Sequence, residues 1–232
     1  MMDLPEITKE LLLGLDETIM IPFSHPNAWV SPGFKIHPAI QEPLSALCDE
    51  AYQTGNKLAL LSGYRSYHRQ KAIWQVKIKG ERAIYDANQN PIQSFLDEEE
   101  KFSAILKWSA LPGSSRHHWG TDIDIFDATC IEQGYNPQLL PDEFSSHGQC
   151  AKLNLWLEKN LSAYQFFRPY LVDKGGVAVE PWHISYHPLA QQFSQKLTAE
   201  ILASAWHNEP QNWSLWALKN IDRLYQKYVL NK

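Results

Sequence analysis

The stretch Ser115-Arg116-His117-His118-Trp119-Gly120-Thr121-Asp122-Ile123-Asp124-Ile125-Phe126 carries two signals at once. From Thr121 to Phe126 polar and apolar residues alternate, the period of a half-buried strand. Gly120 stands just before it, where the chain can bend without a Cβ penalty. His117 can then sit on the loop edge while Asp124 projects from the strand, and both can reach one point. His118 is an alternative to His117 at that point. Asp122, on the same strand face as Asp124, competes for the carboxylate position.

A second stretch strengthens the pattern: Glu180-Pro181-Trp182-His183. Two histidines and one carboxylate can hold a zinc ion and leave a fourth position for water. A further carboxylate, Glu180, is a candidate base for that water. Residues i and i+3 of a regular strand point to opposite faces. Pro181, which lacks an N–H and breaks ladders, predicts a local irregularity that returns Glu180 and His183 to one cavity. His187 also follows His183 at helical ligand spacing. In a strand the two lie about 13 Å apart, so His187 is read as a strand-end or groove residue.

A third stretch, Ser62-Gly63-Tyr64-Arg65-Ser66-Tyr67, ends a short apolar run bounded by Gly55 and Gly63. Arg65 emerges there at a predicted strand end, where its planar fork can meet a developing oxyanion or a carboxylate.

Around these stretches the periodicities predict an α+β protein. Residues 1–35, punctuated by Pro22, Pro26, Pro32 and Gly33, read as a wrapping arm after a short helical start. Helices are predicted over 38–55, 67–79, 95–108 and 151–161, and two more over 189–206 and 212–230. Strands are predicted over 57–62, 121–126 and 177–186, with a hairpin-like turn at Gly175-Gly176. Asn88–Pro91 marks a loop, and 128–147 is an irregular excursion. The acidic run Asp97-Glu98-Glu99-Glu100 suits a helix start rather than a metal site. No linker divides the chain. A single domain over 1–232 is expected, with an arm at 1–35 and a C-terminal helical extension at 189–232.

Composition removes several function classes. Lys plus Arg is 21 against 26 for Asp plus Glu, with no basic run, so nothing favours nucleic acid as a partner. No apolar run is long enough for a membrane helix. The first ten residues lack a basic and an apolar region, so no secretory leader is expected. Cys48, Cys130 and Cys150 fit neither a disulfide framework nor a zinc knuckle and read as free thiols. A cytoplasmic location is expected, with the periplasm as the alternative. The nine tryptophans, among them Trp206, Trp213 and Trp216, read first as core. The oligomeric state is left open.

These three stretches, in this order, resemble the LAS metallopeptidases, a group of lysostaphin-type enzymes, D-alanyl-D-alanine metallopeptidases and hedgehog domains. The VanY-like D,D-carboxypeptidase branch is the nearest in pattern. Its arginine segment is matched by Ser62-Gly63-Tyr64-Arg65-Ser66. Its Ser-x-His-x-x-Gly-x-x-x-Asp is matched by Ser115, His117, Gly120 and Asp124, and its Glu-Pro-Trp-His by Glu180, Pro181, Trp182 and His183. The matching segments lie within 57–188.

The resemblance implies a small antiparallel sheet carrying the site, flanked by helices. It implies one zinc held by His117, Asp124 and His183, Glu180 as general base and proton shuttle, and Arg65 as stabiliser of the scissile carbonyl oxygen. Ser115, Gln70 and Trp182 are the expected substrate contacts, and Arg116 with Gln70 are candidates for binding a terminal carboxylate. The implied activity is release of a C-terminal D-alanine from peptidoglycan-type peptides. An L,D-carboxypeptidase and a peptidoglycan endopeptidase are alternatives within the family. A catalytically inactive, zinc-stabilised peptide- or glycan-binding module is the alternative from another class. Asp122 departs from the pattern, which has a small apolar residue there. Its charge is expected to alter the electrostatics of the site without changing the ligand set.

Overall fold

The apolar run before Gly63 and the alternating run after Gly120 fold as adjacent antiparallel strands within a five-stranded sheet. The computed structural model describes residues 6–86 and 89–231. Its strands are β1 (Ile21–Pro22), β2 (Ala28–Val30), β3 (Lys35–Ile36), β4 (Leu58–Ser62), β5 (Asp122–Asp127), β6 (Phe166–Phe167) and β7 (His183–Tyr186). The sheet order is β2-β4-β5-β7-β6, and β1 with β3 forms a separate antiparallel pair. The helices are α1 (Lys9–Leu13), α2 (Gln41–Gln53), α3 (Tyr67–Ile78), α4 (Glu98–Trp108) and α5 (Ala128–Glu132). They continue with α6 (Ala151–Asn160), α7 (His187–Lys196), α8 (Ala199–Trp206), α9 (Asn212–Lys219) and α10 (Ile221–Leu224).

Local chemistry starts several of these helices. The side chains of Thr8, Ser66, Asp97 and Thr198 accept the N–H groups of Leu11, Arg69, Glu100 and Ile201 at the first turns of α1, α3, α4 and α8. Glu98, Glu99 and Glu100 fill the first turn of α4, where the helix dipole favours negative charge.

Alternation then sorts the sheet. Ile123 and Ile125 of β5 enter a core with Leu58 and Leu60 of β4, Leu44 and Leu47 of α2, and Leu157 of α6. Asp122 and Asp124, of opposite parity, leave the same strand toward the other face. A second core gathers Trp74, Trp119, Phe193, Trp206 and Trp213. The rings of Trp74 and Trp213 lie 6.0 Å apart and those of Phe102 and Trp216 5.6 Å apart, so the C-terminal tryptophans cover α3 and α4.

Four expectations need correction. The arm is not merely irregular, because its β2 forms the edge of the main sheet and pairs parallel with β4. The sheet is therefore antiparallel except at that edge; three residues are too few to show a period. The segment before β7 is not strand, since only His183–Tyr186 enters the ladder. The predicted helix 189–206 is two helices: Leu197 turns extended, with ψ 113°, and Thr198 caps a new start. The predicted helix 212–230 is α9, α10 and a π-helical turn, Tyr225–Val229. Residues 1–5 of the arm, Asn88 of the expected loop and Lys232 lie outside the described residues.

Candidate active site

Sheet register brings the central pair together. Asp124 of β5 lies directly opposite His183 of β7, with Ser62 of β4 on its other side. Side chains paired this way on one face start with Cβ atoms about 4.5–5.5 Å apart. The pairing places His183 Nδ1 3.3 Å from Asp124 Oδ1.

His117 arrives from a 3₁₀ turn, Arg116–Trp119, closed by Gly120 at φ 66°. A Cβ on Gly120 would lie 2.6 Å from Met20 Sδ and 2.7 Å from the His37 nitrogen, so the tight bend needs glycine here. His117 Nδ1 donates to the Gly63 carbonyl at 2.9 Å, and its bare Nε2 faces Asp124 Oδ2 at 3.3 Å. Gly63 can offer that carbonyl because a side chain there would strike the Lys35 carbonyl oxygen.

Glu180 joins them through a β-turn. The His183 N–H reaches the Glu180 carbonyl at 3.2 Å, with Pro181 at the second position that its fixed φ suits. The turn replaces the expected strand irregularity and has the expected result. Glu180 Oε2 lies 3.5 Å from His183 Nδ1.

Asp122 plays a different part from the one expected of a competing ligand. It is wholly buried, and its Oδ1 accepts His183 Nε2–H at 2.9 Å and Arg116 Nε at 2.7 Å. Its Oδ2 accepts the hydroxyls of Thr121 at 2.7 Å and Ser185 at 3.1 Å. Arg116 also reaches Ser185 Oγ and lies over the Trp119 ring. Asp122 thus binds the far side of the histidine, and Arg116, though on the cavity wall, is tied into this network.

His118 is excluded in the same way. Its Nδ1 donates to the Arg65 carbonyl at 2.6 Å, and its Nε2 accepts the Gly113 N–H at 3.0 Å. Burial pushes its pKa down to about 3, so it stays neutral. His187 begins α7 and packs its ring on Phe167.

Ligand atoms of His117, Asp124 and His183 all lie within 4.8 Å of one another. The electrostatics favour a cation there. Burial opposes charge on His183, yet its hydrogen bonds to Asp122, Asp124 and Glu180 outweigh that and hold its pKa well above the usual value. Burial likewise opposes charge on Asp124, but the neighbouring His117 and His183 keep its carboxyl below the ordinary range. His117 Nε2 and His183 Nδ1, with the Asp124 carboxylate, form a donor set that suits zinc once the imidazoles are neutral.

Arg65 lines the same cavity. Its Nη1 donates to Gln70 Oε1 and its Nη2 to Ser62 Oγ, both at 2.9 Å, and Nη2 lies 3.8 Å from Asp124 Oδ2. Gln70, expected to touch substrate, is wholly buried and spans Arg65 and the Ala110 carbonyl. It holds the arginine from behind, which corrects its expected role. Ser115 and Trp182 are buried and line the cavity.

Tyr170 and Lys77 are among the residues of this wall that sequence reading missed. The Tyr170 ring lies 5.0 Å from that of His183, and its carbonyl accepts the Glu180 N–H. Lys77, predicted only as part of a helix, also lines the cavity. The available signal was its position on α3, one turn beyond Trp74 on the face that also carries Gln70.

Comparison with known proteins places the chain among peptidase relatives. Residues 33–189 match the family described as VanY: D-alanyl-D-alanine carboxypeptidase. An uncharacterized protein of Haemophilus influenzae is 35% identical over 122 residues, 52% of this chain and 93% of its own. A D-alanyl-D-alanine carboxypeptidase of Enterococcus faecalis is 30% identical over 160 residues, 68% of this chain and half of its own length. Among solved structures, the LdcB LD-carboxypeptidase is similar with a TM-score of 0.50 and 25% identity, covering 79% of this chain and 76% of that one.

Proposed function

The chain belongs to the VanY family of D-alanyl-D-alanine carboxypeptidases, and on that premise we propose that it is a zinc-dependent D,D-carboxypeptidase acting on peptidoglycan-type peptides. The observation that carries the reading is the convergence of His117 Nε2, His183 Nδ1 and Asp124 on one point, with Glu180 beside it. Those three side chains would hold the metal. Bound zinc supplies a water of lowered pKa and polarises the carbonyl to be attacked.

The chain's own residues do the rest. The Glu180 carboxylate takes the proton of the attacking water and returns it to the leaving amine. Arg65, fixed by Gln70 and Ser62, presents its guanidinium to the oxygen that gains charge. Asp122 keeps the hydrogen of His183 on Nε2, so Nδ1 stays available as a ligand atom. Ser115 and Trp182 shape the wall against which the peptide lies.

The test is release of D-alanine from acetyl-L-Lys-D-Ala-D-Ala by zinc-loaded protein, with and without a chelator. Chelator-sensitive release supports the reading. Cleavage confined to a peptide ending in L-Lys-D-Ala would move the assignment to the L,D-specific activity named for the LdcB structure. Cleavage confined to crosslinked stem peptides would move it to an endopeptidase.

A further inference from the structure

The ladder between β4 and β5 ends at Ser62, opposite Asp124. Arg65 lies beyond that end, so strand register does not set where its guanidinium stands relative to the ligand atoms. The histidine pair at 117–118 does. His117 Nδ1 donates to the Gly63 carbonyl at 2.9 Å. The Arg65 N–H donates to the His117 carbonyl at 3.0 Å. The Arg65 carbonyl accepts His118 Nδ1–H at 2.6 Å. Between these contacts the Tyr64 N–H turns away to the Lys35 carbonyl. Both backbone polar groups of Arg65 are thus taken by the dipeptide that carries a candidate metal ligand.

The fold is shaped around His118. Its Nε2 faces the Gly113 N–H at 3.0 Å, and an N–H only donates, so the ring hydrogen sits on Nδ1. The imidazole is wholly buried with both nitrogens paired. Separate segments make room for it. The Tyr67 ring stacks on it at 6.4 Å, Gly113 meets it with φ 89°, and at the end of α1 a Cβ on Gly14 would collide with it. An apolar side chain would fill the same space without the cost of burying polar atoms. The imidazole adds direction, with one hydrogen bond anchored at Gly113 and one delivered to Arg65.

We propose that His118 is a positioning residue for the reaction: it fixes the Arg65 backbone against the His117 segment and so sets the guanidinium where the developing oxyanion needs it. The inference rests on the carboxypeptidase reading above. A side chain that acts through Arg65 contributes where charge develops. Its effect therefore falls on kcat, not on binding of the metal or of the ground-state peptide.

Two substitutions divide the two hydrogen bonds. Asn places its amide nitrogen where Nδ1 stands, so His118→Asn keeps the donor to Arg65 and loses the acceptor for Gly113. Gln reaches the position of Nε2, so His118→Gln keeps the acceptor and loses the donor. The assay uses zinc-loaded protein and acetyl-L-Lys-D-Ala-D-Ala. His118→Gln should lower kcat by about 10- to 100-fold, the scale for a catalytic group misplaced by about 1 Å. Its KM and its zinc affinity should stay within about threefold of wild type. His118→Asn should restore kcat to within about threefold, although it melts at a lower temperature because the buried Gly113 N–H loses its acceptor. In an Arg65→Ala background the effect of His118→Gln should vanish. Gly14→Ala presses on the same ring from α1 and provides an independent route, with kcat lowered and zinc retained.

A phosphinate analogue of the same peptide, which mimics the tetrahedral anion, reads the geometry without turnover. His118→Gln should weaken its binding by the factor lost from kcat. Wild-type kcat in His118→Gln, equal losses in the Asn and Gln variants, or a full effect without Arg65 overturns the proposal and leaves His118 a packing residue. Failure of the carboxypeptidase reading looks different. The wild-type protein then neither cleaves the peptide nor binds the analogue, and the proposal falls with it.

Discussion

His183 donates its Nε2 hydrogen to Asp122 at 2.9 Å and turns Nδ1 toward Asp124 at 3.3 Å. One imidazole thus joins a buried network to the candidate metal site. Arg116 on Asp122 extends the chain of charges by one member, so tautomer and ring orientation are fixed together.

Replacing Asp122 with Ala should therefore weaken zinc binding by about 10- to 100-fold, the usual effect of losing a carboxylate behind a ligating histidine. Competition with a chromophoric chelator measures it. The same change strands Arg116, and breaking a buried pair costs about 3–5 kcal/mol, read by urea unfolding. Zinc affinity equal to wild type would assign Asp122 to stability alone.

Glu180→Gln and His117→Ala should separate two functions of one site. The glutamine variant should keep its zinc and lose turnover by about 10²- to 10⁴-fold, the range for a positioned acid–base group. The alanine variant should lose metal first, because it removes a ligand atom. Metal content by mass spectrometry, set beside peptide hydrolysis, decides each case. Wild-type turnover in Glu180→Gln would remove that residue as the base.

Gln70→Ala should lower kcat more than it raises KM. Gln70 touches the cavity only through Arg65, whose Nη1 it holds at 2.9 Å. A contact realised in the transition state appears in kcat. About tenfold is expected for one hydrogen bond to a charged group. A change confined to KM would place Gln70 against the bound substrate instead.

His37 gives stability a pH dependence of its own. It is buried, its Nδ1 accepts the Ala39 N–H at 3.1 Å, and burial lowers its pKa to about 4. The unfolded chain binds a proton near pH 6.5 that the native state refuses until about pH 4. Stability contributed by His37 is therefore full above pH 6.5 and is lost as pH falls toward 4, by up to about 3 kcal/mol. His37→Asn keeps a cap acceptor and should flatten urea-unfolding free energies across that window. An identical pH profile in the variant would contradict the assignment.

Much of this was legible in the chain because it depends on local rules. Alternation after Gly120 placed Asp124 on a strand, and Gly120 itself signalled the bend that carries His117. Pro181 announced that Glu180 and His183 would not obey strand parity, although the solution is a β-turn rather than a bulge. The edge strand β2 escaped notice because three residues show no period. The break at Leu197 escaped because apolar spacing continues across it.

What the sequence offered by itself was a set of candidate ligand types, their order and a candidate base beside them, since these are matters of residue chemistry and motif order along the chain. The tertiary structure decided the rest. Asp122 and Asp124 have the same parity on one strand and cannot be told apart by period. Only the register of β5 against β7 sets Asp124 opposite His183 and sends Asp122 to Ser185 and Arg116. Lys77 was one lysine on a helix until the fold buried it in the cavity with Glu180. Pairings between distant segments depend on long-range packing, and no local pattern encodes which partner a buried charge will meet.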